Sequence, residues 1–310
     1  MILSKNRFID LVTGLSHRWL PFADVATEQL SLPRLWRLSL FQLSVGMVIV
    51  LLTGTLNRIM VVELRQGAWL VSLMLAIPLL LAPARAFIGY QSDHHRSYLG
   101  WRRVPYLWSG TMMQFGGLAM MPFALIIMTE PHSGPDLLGP FAAMAAFLLT
   151  GLGMHISQTA GLALATDLAS EETRPRVVAL LYLMLLIGMI GSALIFAVLL
   201  HDFNYIRLIQ VIQGAAVVTI VLNIIAMWKQ EARRPDLTSH TRFRPTFGVA
   251  WHAFLGIPKA GRLLWALGLG TMGFAMQDIL LEPYGAEVLG LSVSDTTLLT
   301  AMFAGGMIVA

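Results

Sequence analysis

Three sets of polar residues interrupt this otherwise apolar chain at spacings that can do chemistry. His155 and Gln158 stand three apart, and Asp278 and Glu282 four apart, so on helices each pair shares one face. A neutral imidazole can ligate a metal or hydrogen-bond a ligand ring, although a lone His among apolar residues more often bonds a neighbouring helix. Two carboxylates on one face can pass a proton, hold a cation, receive a partner helix or latch two helices together. The third set is a repeated pattern, an adjacent polar pair followed by a glutamate. It reads Asn57-Arg58 with Glu63, then Gln277-Asp278 with Glu282. The swap of Arg for Asp at the second position predicts that Arg58 and Asp278 approach each other, or share a polar network with Asn57, Gln277 and Glu282. No nucleotide loop, phosphate cradle, nucleophile elbow or aspartate-rich diphosphate motif is present, which leaves an enzyme the weakest option. No cysteine is available for disulfides or thiolate metal sites.

The elements that must position these residues are membrane helices. A spanning helix needs about 20 mostly apolar residues. Such runs lie at Leu38–Val62, Ala68–Gly89, Val104–Met128, Leu138–Thr166, Val177–Leu200, Ile206–Trp228 and Leu263–Tyr284, and an eighth begins near Thr296. The composition agrees, with 56% hydrophobic and 12% charged residues, where a soluble domain carries about 25% charged. Backbone groups in lipid must be satisfied internally, so the runs are predicted as helices and the class as an all-α polytopic membrane protein. Of the 21 Lys and Arg, all but Arg58, Arg65 and Arg207 fall on one side of these spans. Basic residues are retained inside, which predicts a cytoplasmic N-terminus and accounts for the basic balance without nucleic acid.

Four segments follow. Residues 1–36 form a cytoplasmic N-terminal segment, in which Phe8, Val12, Leu15, Trp19 and Phe22 make the stripe of an amphipathic helix on the membrane surface. Residues 37–228 hold six spans, 229–262 a polar cytoplasmic loop, and 263–310 the start of a second set. Six helices, a central loop and more helices is the plan of a transporter built from two six-helix halves. The last residues, TTLLTAMFAGGMIVA, are too short to cross and carry no basic flank, so about four further helices are expected beyond them.

The loop after the second span reads Gly89, Asp93, Gly100, Arg102 and Arg103. It resembles the cytoplasmic latch of the major facilitator superfamily, in which an Asp and basic residues tie helix ends together. His94 and His95 in that loop have no ligand partners at helical spacing and are expected to be solvated. Arg85, just after Pro83, is expected to snorkel to the surface.

Longer stretches narrow the resemblance. They are Leu56–Leu64, Ala82–Gly89, Gly100–Tyr106, Gln114–Leu118, Gln158–Ala169, Arg174–Tyr182 and Met276–Gly285. Together they are similar to the PucC/LhaA family of phototrophic bacteria, from Leu32 to Thr300. The resemblance implies a major-facilitator fold, here one six-helix half and the start of the other, in the inner or intracytoplasmic photosynthetic membrane. It implies an assembly factor for light-harvesting antenna polypeptides that handles bacteriochlorophyll or newly inserted antenna helices. The stretch Leu208–Gly214 favours the core antenna over the peripheral one. Reaction centre and bacteriochlorophyll synthase are possible further partners beside membrane lipid. On this footing His155 would ligate or hydrogen-bond the pigment, with Gln158, Asn57, Arg58, Gln277, Asp278 and Glu282 as further binding candidates. The competing expectation is a proton-coupled transporter of a pigment-like or amphipathic molecule, since fold alone does not decide function.

Overall fold

A computed structural model describes residues 31–129, 135, 137–234, 238 and 244–309, and every structural statement below concerns these. The expected amphipathic stripe from Phe8 to Phe22 lies outside them. The described chain is helical, with no strand among the described residues. Its helices are α1 (Leu32–Glu63), α2 (Ala68–Leu80), α3 (Ala84–Asp93), α4 (Val104–Thr129) and α5 (Leu138–Leu168). Then come α6 (Arg174–Leu199), α7 (Tyr205–Met227), α8 (Phe247–Leu255), α9 (Ala260–Glu287) and α10 (Val293–Val309). Seven spans are long and apolar enough to cross a membrane, α2 and α3 together counting as one.

The ends follow local chemistry. Pro33 and Pro175 start α1 and α6, where a missing N–H costs nothing. The Asn204 side chain caps α7 by accepting from the Arg207 N–H at 2.7 Å. Ser292 and Asp295 cap α10 reciprocally. The Asp295 N–H donates to the serine hydroxyl at 3.2 Å, and the Ser292 N–H donates to the carboxylate at 3.3 Å. That box starts the helix at Val293, three residues before the expected Thr296. The segment 229–262, read from sequence as a loop, contains the short helix α8.

The second span is broken rather than continuous. Residues 81–83 form a turn between α2 and α3, with Pro78 upstream and Pro83 at the start of α3. The first span also departs from a regular helix. Val50–Leu56 and Ile59–Glu63 take the wider π-helical turn, in which the Leu64 N–H reaches back five residues to the Ile59 carbonyl.

The centre of the bundle is α1, which packs on α5, α6 and α7 and carries two apolar clusters. One, around Phe41, Leu107, Leu164 and Leu181, lies toward the end that holds Arg103. The other, around Leu51, Met60, Met74, Phe147 and Ile212, fills the opposite end. Helices meet through small residues, since packing rather than hydrophobicity drives association in lipid. A Cβ on Gly153 would stand 2.5 Å from the Gln114 nitrogen, and one on Gly110 2.5 Å from the Ser157 hydroxyl, so α4 and α5 touch backbone to backbone. Gly46 and Gly188 make the same approach between α1 and α6, against Leu185 and Leu43 carbonyls. The last helix, α10, leans on α6.

Candidate functional site

The latch residues converge on one buried arginine. Arg103 is 5% exposed. Its Nε donates to Asp167 Oδ2 at 3.0 Å, Nη1 to Ser92 Oγ at 2.6 Å, and Nη2 to Asp93. One side chain at the start of α4 thereby ties the ends of α3 and α5. Arg102 adds a looser contact to Asp167 at 3.5 Å. Gly100 turns the chain with φ +80°, a conformation that favours glycine, and its carbonyl accepts from the Arg234 N–H. Gly89 sits in α3 in ordinary contact with Thr159.

Sequence reasoning missed Glu231. Its carboxylate accepts from the N–H groups of Arg102, Arg103 and Val104 at 2.8 to 3.1 Å, which satisfies the orphan donors at the start of α4. The signal was an acid set between Lys229 and Arg233 just after the sixth span. Glu231→Ala should therefore lower stability by about 1–2 kcal/mol, the usual cost of losing a helix cap, visible as a lower melting temperature in detergent.

The two loop histidines are packed, which corrects the solvated expectation. His94 stacks on Tyr90 with ring centroids 4.4 Å apart, and His95 meets Tyr106 edge-on at 5.3 Å. Burial holds the His95 imidazole below its usual range.

Deeper in the bundle, His155 serves the break between α2 and α3. The turn leaves the Pro78 carbonyl without a helical donor, because the Ala82 N–H bonds Leu79 instead. His155 Nε2–H donates to that carbonyl at 3.1 Å. Its Nδ1 is buried and has no hydrogen-bond partner. His155 thereby ties α5 across the broken span, with the lone pair of its Nδ1 held inside the bundle. Gln158, on the same face, accepts from Arg85 Nη2 at 2.6 Å and approaches Gln42 at 3.4 Å. Arg85 is thus turned into the bundle rather than toward the surface.

The third set joins α1 to α9, but not as the repeated pattern predicted. Arg58 pairs with Glu63 at 2.7 Å and no ion pair links it to Asp278. Asn57 makes the cross-helix bond instead, donating to the Ile279 carbonyl at 2.6 Å. That carbonyl is free because its helical donor would be Pro283, which has no N–H. Glu282 is fully buried against Gly54 and accepts from the Thr300 hydroxyl at 2.6 Å, so one carboxylate joins α9 to both α1 and α10. Gln277 is exposed and Asp278 half-buried, neither in that network.

A groove of about 790 Å³ separates α6 from α7. Gly188, Gly191, Ser192, Gly214, Ala215 and Val218 are among its lining residues. A Cβ on Gly191 or Gly214 would meet nothing within 4 Å. Ile195 and Val198 on its walls face outward at 58% and 76% exposed.

The family model described as PUCC protein matches residues 55–310. Protein PucC of Rhodovulum sulfidophilum is 54% identical over 308 residues, covering 97% of this chain and 68% of its own length. An uncharacterized protein in the puhA-bchM intergenic region of Rhodobacter capsulatus is 54% identical over 312 residues, with 100% and 64% covered. A more distant relative, the bacteriochlorophyll synthase 44.5 kDa chain of that species, is 28% identical over 274 residues, with 88% and 62% covered. The chain thus spans about two thirds of the length of the curated relatives it matches. No solved structure matches.

Proposed function

The chain belongs to the PUCC protein family, and from that premise we propose that it is a non-catalytic assembly factor for light-harvesting antenna. Its clients are newly inserted antenna helices, those of the core antenna first. The observation that carries this is the groove between α6 and α7. Small residues let membrane helices approach closely. A Cβ on Gly191 or Gly214 would meet nothing within 4 Å among the described residues, so the groove offers such a surface to another helix. The family resemblance supplies the client. The fold is that of the major facilitator superfamily, with 37–228 as one half, 229–262 as the cytoplasmic connection and 263–310 within the other. The N-terminus is cytoplasmic and the membrane is the photosynthetic inner membrane. The transporter alternative has no comparable support, since Asp278 and Glu282 do not form a joint polar site.

Deletion of the gene in a phototroph should lower assembled antenna several-fold while pigment synthesis continues. Absorption spectra of membranes measure it, and normal antenna in a strain without a paralogue overturns the assignment. Gly214→Leu is the finer test. It fills the groove without an internal clash, so the protein should accumulate and melt normally while antenna falls as in the deletion.

A further inference from the structure

Arg85 is a cation without an anion. Arg58, Arg102, Arg103, Arg174 and Arg207 each meet a carboxylate. Arg85 meets only neutral groups, Gln158 Oε1 at 2.6 Å and Thr159 Oγ1 at 3.1 Å, and no carboxylate among the described residues pairs with it. Its Nη1 makes no hydrogen bond to them. A charge inside a span costs about 2.5–3.5 kcal/mol at a helix centre on insertion scales, and such residues mark sites by default. Here the protein adds polar groups around the charge without neutralising it. Gln42, from α1, is fully buried and its Nε2 has no partner. Helix α5 thus holds the guanidinium through Gln158 and Thr159, and Gln158 in turn meets Gln42 of α1, whose Nε2 donor is left over. Apolar side chains flank Arg85 on both sides. Leu81, one turn before, is exposed, and Ile88, one turn after, is half-buried.

We propose that Arg85, with Gln158 and Gln42, binds the oxyanion of an amphipathic molecule whose apolar body lies along α3. A guanidinium fork matches a carboxylate or phosphate in two parallel bonds, and the partly dry setting strengthens them. The oxyanion supplies the countercharge that the described residues do not. Such a site holds whether or not the chain serves antenna assembly, and it is distinct from the α6–α7 groove.

The test uses the purified full chain in uncharged detergent, with radiolabelled palmitate as the probe in a scintillation proximity assay. Binding should be saturable. Palmitate methyl ester, equal in length but uncharged, should fail to compete. Arg85→Met should weaken binding by about 10-fold or more, the usual worth of hydrogen bonds to a charged group. Competition by dioleoylphosphatidylglycerol and not by dioleoylphosphatidylcholine would assign the site to an anionic phospholipid; competition by neither would assign it to a free carboxylate. Removing a half-buried charge that meets no carboxylate should leave the melting temperature of Arg85→Met close to that of the parent. A clearly lower one would make Arg85 a structural tie and overturn the site. The ester comparison needs no variant and decides alone: an ester that competes as well as the acid overturns the proposal, as does the absence of palmitate binding.

Discussion

Replacing Arg103 with alanine should destabilise the protein by about 2–3 kcal/mol, more than any other single change at the latch. The guanidinium is nearly inaccessible and ties three groups on two helices, so its removal leaves Ser92 and Asp93 without this donor and Asp167 with only the looser Arg102 contact. The carboxylates stand in a different position. Asp93 is 49% exposed at its side chain, and water can solvate it when the arginine is gone. Asp93→Ala should cost less than about 1 kcal/mol on the same reasoning. The double variant Asp93→Ala with Arg103→Ala should then be little worse than Arg103→Ala alone, because the two residues share one interaction. Thermal melting of the four proteins in one detergent measures the cycle. Equal and additive losses would show that Arg103 acts elsewhere.

The second large effect is expected at the crossing of α4 and α5. Gly153→Leu puts a branched side chain where a single Cβ would already stand 2.5 Å from the Gln114 nitrogen. Backbone cannot give way as a flexible side chain can. Overpacking of a closed core costs about 1–3 kcal/mol and more where nothing can move. The variant should fail to accumulate as folded protein, judged by size-exclusion chromatography after mild solubilisation. Gly116→Leu, beside this contact line on α4, is the control. Its Cβ would meet only Leu149 at 3.6 Å, so near-normal recovery is expected.

These contrasts bear on how far the molecule was legible from its residues. The spans were, because a run of apolar residues in lipid has one way to satisfy its backbone. The break in the second span was written in Pro78 and Pro83 but passed unread, since hydropathy stays high through both. In the latch, Asp93 and Arg103 are ten residues apart and were visible together. Asp167 and Glu231 join them from 64 and 128 residues away, a pairing that no local spacing reveals. His155 and Gln158 share a face as their spacing implied, but their partners, Pro78 and Arg85, depend on how α5 docks against the broken span. The Arg58–Asp278 expectation failed for a specific reason. It rested on the repeated polar pattern, and in an α-helix Glu63 would stand about 140° round from Arg58. The wide turn of α1 brings Glu63 under Arg58, and the local pair forms instead.

That same wide turn makes the first span behave as two helices with an offset between them. Each π turn holds one residue more than an α turn, and one residue corresponds to about 100° of rotation. The extra residues in Val50–Leu56 therefore set the heading of everything beyond them. Upstream, Phe41 and Leu38 point into one apolar cluster; downstream, Asn57 meets the carbonyl that Pro283 leaves free. Counting matters here more than identity. A conservative exchange such as Leu52 for isoleucine keeps the count and the heading. The loss of a single residue from that segment would keep the hydropathy unchanged, yet swing Asn57 and Arg58 a quarter turn or more away from α9.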